Sequence, residues 1–214
     1  MKKLFASIFA TSLLLISSQA FAQLVPGAGY FFASEKTGNS DAVANHGFYV
    51  GTSYNIALGS GFGVAPGLYL DMLVHGQTAA AGSSIASAYL VGRYREFALN
   101  LPINLNYSLD FTDNLSLVIF AGPTFQLGLS SETTVTGEAS FLGIRISDGE
   151  KFNHFNSDNG DRNRFNMSVG GGLGLHIGDL LFTVGYDRSL LDYTKDKNST
   201  TARNMIKAGL NFAF

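Results

Sequence analysis

Cysteine does not occur in this chain, which removes disulfide frameworks, thiolate nucleophiles, Cys-ligated metals and a lipoprotein cysteine from consideration. Charge is scarce too. Lys, Arg, Asp and Glu make up 14% of the residues with a net charge of −2, so no basic stripe exists to neutralise phosphates, and nucleic acid is excluded as a partner. After residue 22 every apolar run is interrupted by Gly, Asn, Ser or charge, which excludes membrane-spanning helices. There are only 4 prolines against 25 glycines, Phe and Tyr are frequent, and turn residues recur throughout. In a chain long enough for one domain, that composition points to an all-β protein.

The N-terminus supplies a compartment. Lys2 and Lys3 precede an apolar stretch from Leu4 to Ile16, and Ala20-Phe21-Ala22 gives a small-x-small cleavage pattern before Gln23. Residues 1–22 read as a secretory signal peptide and 23–214 as the exported domain. An uncleaved anchor is the competing reading, but the apolar core is shorter than the roughly 20 residues a spanning helix needs.

Alternation with period 2 dominates the rest. In 48–58, Phe48, Val50, Thr52, Tyr54, Ile56 and Leu58 oppose Tyr49, Gly51, Ser53, Asn55 and Ala57. In 62–74 an apolar face of Phe62, Val64, Leu68, Leu70 and Met72 opposes Gly63, Ala65, Gly67, Tyr69 and Asp71. The split is clearest in "EFALNLPINLNYSL", where Phe97, Leu99, Leu101, Ile103, Leu105 and Tyr107 oppose Glu96, Ala98, Asn100, Asn104, Asn106 and Ser108. Segments 115–129, 165–177, 180–189 and 204–214 repeat it, and 27–34 does so more weakly. That predicts eight strands and no helix after residue 22.

Connection lengths set the topology. Gly59-Ser60-Gly61, residues 110–114 and Gly178-Asp179 are short links, whereas 35–46, 75–92, 130–164 and 190–203 are long and polar. Short and long alternate strictly, so all long loops leave one end of the sheet, as in transmembrane barrels with periplasmic turns and extracellular loops. Symmetric closure of the last hairpin predicts Asp187 opposite Lys207. The same logic in the second hairpin predicts Tyr69 against Gly51 and Tyr49 against Asp71.

Alternation alone does not say which face is outside. A soluble barrel such as a lipocalin turns its greasy face inward around a ligand. Here the non-apolar face is rich in Gly, Ser and Asn, too small and polar for a lipid-binding calyx but suited to a filled polar lumen. Aromatic residues fall near strand ends on the apolar face, including Tyr54, Phe62, Tyr107, Phe165, Tyr186 and Phe212, as in interfacial girdles. The final run also closes on an aromatic, Phe214. Lipid is the expected surroundings. Closure of first strand on last then follows, because open edges cannot be satisfied in hydrocarbon.

The stretches "FALNLPINLNYSLDF" and "LSLVIFAGPTFQLGL", with "VGGGLGLHI", "VGYDRSLLDYT" and the terminal "GLNFAF", resemble the small porin-like outer-membrane β-barrels of Bacteroidetes and related Gram-negative bacteria. The resemblance implies an eight-stranded antiparallel up-and-down barrel and a terminal aromatic strand, here Phe212 and Phe214, read by the barrel-assembly machinery after periplasmic chaperones deliver the chain. It carries no catalytic residues. The partners expected are outer-membrane lipid and lipopolysaccharide, plus an extracellular ligand met through loop 130–164, with the protein a monomer. No cofactor or metal is expected.

Inward charges are the first candidate site: Asp71, Glu96, Asp187 and Lys207 as a lumen ionic network, with Arg95 joining if the register bends. An eight-stranded interior is just wide enough for side chains to fill, which favours a plugged lumen over a narrow pore. His46 and His75 lie near the loop ends of neighbouring strands, with Asp71 close by, but their spacing matches no metal motif, and polar rim residues are the simpler reading. His154 belongs to a long loop and His176 to a periplasmic turn. Asp158, Asn159, Gly160 and Asp161 offer oxygens without the spacing of a calcium loop. The expected function is therefore a non-enzymatic barrel serving envelope integrity or surface contact. The alternative is a pore or rim enzyme, ten-stranded if the β-prone part of loop 130–164 spans.

Overall fold

The computed structural model describes residues 22–82, 86–141, 144–155, 160–196 and 198–212. Nine antiparallel strands are formed: β1 (Ala22–Thr37), β2 (Val43–Gly59), β3 (Phe62–Gly82), β4 (Ala86–Thr112), β5 (Leu115–Phe141), β6 (Ile144–Asn153), β7 (Phe165–Ile177), β8 (Leu180–Ser189) and β9 (Thr201–Phe212). Eight of them close a ring in the order β1-β2-β3-β4-β5-β7-β8-β9, with β9 pairing back onto β1 from Gly27↔Asn211 to Thr37↔Thr201. Among the described residues β6 pairs only with β5 and stands outside the ring, so the ten-stranded alternative is set aside. Among the described residues there is no helix.

Alternation fixes which side faces out. Phe48, Val50, Leu68, Leu70, Leu101, Ile103, Leu105, Val184, Ile206 and Phe212 are all exposed, while Asp71, Glu96, Asn100, Gln126, Asn166 and Arg203 are buried inside. A water-soluble protein would reverse this, since burying ions while exposing an aliphatic belt loses on both counts. On β3 the outward run from Phe62 to Met72 is the length a tilted strand needs to cross a bilayer core. At the periplasmic end, Gly178 turns the β7–β8 hairpin with φ 59°, in the left-handed region that glycine tolerates.

Two stretches expected as loops are instead strand. β3 and β4 continue upward to Gly82↔Ser87, β4 and β5 to Ala86↔Phe141, and β5 folds back onto β6 from Phe141↔Ile144 to Glu132↔Asn153. A four-stranded sheet therefore rises above the barrel. Its segments alternate only weakly in sequence, so the contrast that marks a strand is lost, while the ladder still satisfies the backbone. A bulge between Phe97 and Ala98 lies where this sheet leaves the ring, and bulges bend and twist the strand that carries them.

In the second hairpin Gly51 pairs with Tyr69 and Tyr49 with Asp71, as the short turn implies. The last hairpin is offset by two residues from the symmetric expectation: Lys207 faces Gly185, and Asp187 faces Met205. Its register follows from the other end, where Leu180 pairs with Phe212, so the long loop is taken up unevenly.

Candidate functional site

The lumen is layered. Near mid-height Phe31, Ala33, Leu73 and Met205 form an apolar layer with Tyr49 and Tyr94 packed against it. Each alternates onto the inward face beside polar neighbours, so the apolar layer divides the polar lumen in two.

Above the layer, charge is concentrated. Arg203 on β9 is 1% exposed and binds Glu96 on β4 in a fork, Nη1 to Oε1 at 2.8 Å and Nη2 to Oε2 at 2.9 Å. It also donates from Nε and Nη2 to Glu35 Oε2 on β1, at 3.1 and 2.9 Å. Arg162, from the segment between β6 and β7, completes the set: Nη1 donates to Glu96 Oε2 at 2.8 Å and to the Tyr94 hydroxyl at 2.6 Å, and Nη2 meets Glu35. Two guanidinium forks thus face two carboxylates, the geometry in which buried ions compensate one another. Burial and the adjacent Arg203 push Arg162 below the ordinary arginine range, to about 9, so it stays charged at neutral pH.

Loop segments cap this cluster. Tyr193, between β8 and β9, lies over Arg203 with the guanidinium 4.2 Å from the ring centre, and its hydroxyl donates to Gln126 at 2.6 Å. Burial raises the Tyr193 phenol above its usual range, with Arg203 pulling the other way. Asn163 donates to the Asp192 and Thr194 carbonyls at 3.0 and 2.8 Å, binding the two loops together. Phe155 is buried with its ring packed on Gly128, where any side chain would collide with it.

Below the apolar layer, Lys207 bonds Asp187 at 2.7 Å, a diagonal contact allowed by the two-residue offset. Asp71 adds its charge to the same neighbourhood, but its Oδ2 makes no hydrogen bond of good geometry among the described residues. A cavity of about 170 Å³ opens here between Tyr49, Tyr69, Asn100, Thr183 and Asn211. The expected single network is therefore two clusters, with Glu96 in the upper one and Asp71, Asp187 and Lys207 in the lower.

Arg95 is exposed on the outer face and joins neither cluster. Arg203 and Glu35 sit one residue beyond the strand ends expected from sequence. Extending either alternation would have placed them inward, whereas Arg162 comes from a loop and carries no such signal.

The histidines do not converge. His46 lies on the outer face and meets the Tyr30 hydroxyl, whereas His75 Nδ1 bonds the Ala44 carbonyl at 2.8 Å beside a rim cavity. His176 lies 3.5 Å from Ser116 near the periplasmic turn. His154 Nδ1 is 2.8 Å from Asp161 Oδ1, and its Nε2 is 2.7 Å from Thr133 Oγ1. No cluster of His, Asp and Glu among the described residues has the makings of a metal site. Asp158 and Asn159 lie outside the described residues, as do Phe214 and residues 1–21, which include most of the expected signal peptide. Phe212 is exposed at the periplasmic end of β9.

A closed eight-stranded ring with an apolar outer belt and a polar interior is the architecture of an outer-membrane β-barrel. The chain belongs to the outer membrane protein beta-barrel domain family, whose sequence pattern matches residues 18–195, and it is an outer-membrane protein of a Gram-negative bacterium. Among solved structures it is similar to Ail, the attachment invasion locus protein of Yersinia pestis, at 14% identity and a TM-score of 0.38, covering 89% of this chain and 99% of that one. Neisserial surface protein A gives 11% identity and 0.43, covering 90% and 99%. The outer membrane enzyme PagL gives 12% and 0.43, covering 87% and 99%. At these values none of the three lends its activity to this chain. No curated protein sequence matches it.

Proposed function

We propose that the protein is a plugged, non-enzymatic barrel that reinforces the outer membrane and offers its raised sheet to an extracellular partner. The observation that carries this is the barrel mouth, where Arg203, Glu96, Glu35 and Arg162 are mutually paired over the Phe31–Leu73–Met205 layer and covered by Tyr193. An ion crossing the lumen would have to break both buried ion-pair forks and wet an apolar constriction. The raised sheet supports the second half of the reading, because among the described residues β6 pairs on one side only, and an unpaired strand edge above the membrane is a template for an added strand. Assembly by the barrel machinery after chaperone delivery, with Phe212 in the terminal signal, belongs to the same reading.

Planar-bilayer recording of the refolded protein tests it. A silent bilayer is expected, and reproducible single-channel steps would overturn the plug.

One observation favours hydrolysis instead: Thr133, His154 and Asp161 stand in the order of nucleophile, base and orienting carboxylate. The donors beside them are already engaged, however, with the Tyr94 hydroxyl on Glu96 and Arg162 on Glu96 and Glu35. With those side-chain donors engaged, we read the hydrogen-bonded trio as a pin holding the β6–β7 segment against β5. A fluorophosphonate probe should leave the protein unlabelled. Labelling that disappears in Thr133→Ala would instead establish an enzyme.

A further inference from the structure

We propose that Lys36, Arg188 and Asn204 form an external seat for a phosphate of the outer-leaflet glycolipid, the lipid A of lipopolysaccharide. The register places them together. On the outward face, Phe32, Ile206 and Tyr186 make one row across β1, β9 and β8. The next row up is Ser34, Asn204 and Arg188, and above it Lys36 stands beside Ala202. Lys36 and Arg188 therefore flank β9 with Cα atoms about 12 Å apart, from strand spacing and rise, and both long exposed side chains can reach one anion between them. The Tyr186 hydroxyl donates to Asn204 Oδ1 at 2.9 Å, which fixes the amide by its oxygen and leaves its N–H groups as the donors an anion would use.

No position in these outward rows is acidic, and Asp192, in the segment between β8 and β9, is taken up by the Thr194 and Thr201 N–H groups. Glu35 and Asp187, the carboxylates nearest in sequence, point into the lumen and bind Arg203 and Lys207. Asp41, in the β1–β2 connection, borders the rim cavity rather than the outer wall. Val169 is the neighbour of Arg188 on β7 and Ala44 that of Ser34 on β2. Below the seat the wall is apolar, first Phe32, Ile206 and Tyr186 and then Tyr30, Ala208 and Val184, a surface against which acyl chains pack under their phosphate.

Charge along the barrel selects the leaflet. The periplasmic turns carry Asp110, Asp113 and Asp179 and no Lys or Arg. After residue 22, every Lys and Arg except the lumenal Lys207 belongs in sequence to the extracellular half. The opposite wall differs: Arg95 has a carboxylate residue, Glu132, as its cross-strand partner on the β4–β5 ladder, and Arg93 lies beyond it between Gly76 and Thr134.

Native mass spectrometry of the full-length refolded protein, titrated with diphosphoryl lipid A, dephosphorylated lipid A and phosphatidylglycerol, tests the seat. Wild type should prefer diphosphoryl lipid A, and Lys36→Gln/Arg188→Gln should weaken that binding roughly tenfold or more. Arg93→Gln/Arg95→Gln should stay within about twofold. All variants are first checked for the heat-dependent gel shift of a folded barrel, since the substituted residues are exposed. Unchanged affinity in Lys36→Gln/Arg188→Gln, equal loss in the Arg93/Arg95 pair, indifference to dephosphorylation, or equal binding of phosphatidylglycerol would each overturn the assignment.

Discussion

Above the Phe31–Leu73–Met205 layer the lumen holds two arginines against two glutamates, locked in forks. Below it two aspartates face one lysine around a cavity of about 170 Å³. Both halves bury ions inside a membrane, yet they do so differently. In the upper half protein groups supply the compensation, so each ion depends on a named partner. In the lower half the sum is unbalanced, and the cavity has room for water to solvate what Lys207 leaves over. The upper half should therefore be intolerant of deletion and the lower half forgiving.

The largest effect is expected for Arg203→Ala. It strands Glu35 and Glu96 against Arg162 alone, and removing one partner from a buried pair costs about 3–5 kcal/mol. Urea unfolding in lipid vesicles, followed by the gel shift, measures it. A loss no greater than that of Lys207→Ala would erase the distinction between the halves.

The lipid-facing wall calibrates that scale. Leu101 lies at mid-strand and is 44% exposed to the surroundings of the barrel. Leu101→Lys should cost about 2–4 kcal/mol in a bilayer, whereas a wall facing water would merely gain a surface charge. The same unfolding series reads both outcomes.

Lys207→Ala comes next, at about 1–3 kcal/mol, because water in the cavity offsets some of the loss of the Asp187 pair. Lys195→Ala, on an exposed loop, should lie within about 0.5 kcal/mol of wild type. Equal unfolding midpoints for the two variants would show that the Lys207 pair contributes nothing.

The same division governs what could be read before folding. β7 and β8 begin and end where alternation and the Gly178-Asp179 turn place them, because every residue there faces either lipid or lumen. Asp71, Asp187 and Lys207 fall inward by the same parity, and their ion pair survives a two-residue error in register because long side chains reach diagonally. The upper cluster was only partly legible. Glu96 stood out within a strong pattern, and Glu35 and Arg203 needed the alternation carried slightly further than the apolar belt warranted. Arg162 was not legible at all: a loop returning into a barrel mouth leaves no local period, and only the three-dimensional closure brings it to Glu35 and Glu96. The raised sheet is illegible for a related reason, since residues 75–92 and 130–153 show no sustained alternation of apolar and polar residues.

The smallest effect should be the most telling. Asp71 is buried on β3 across from Tyr49, with one carboxylate oxygen lacking a good hydrogen bond and a second aspartate already on Lys207. Asp71→Asn keeps the shape, removes the unbalanced charge and supplies an amide that the cavity can hydrate, so stability should change by less than about 1 kcal/mol, in either direction. Glu96→Gln makes the same isosteric change in the upper half, but there it deprives two arginines of a shared counter-ion and should cost several times more. Unfolding midpoints of the two variants, measured side by side, decide the matter. If Asp71→Asn falls as far as Glu96→Gln, the lower carboxylate is held by a partner as firmly as the upper one, and the contrast between a locked mouth and a hydrated base fails.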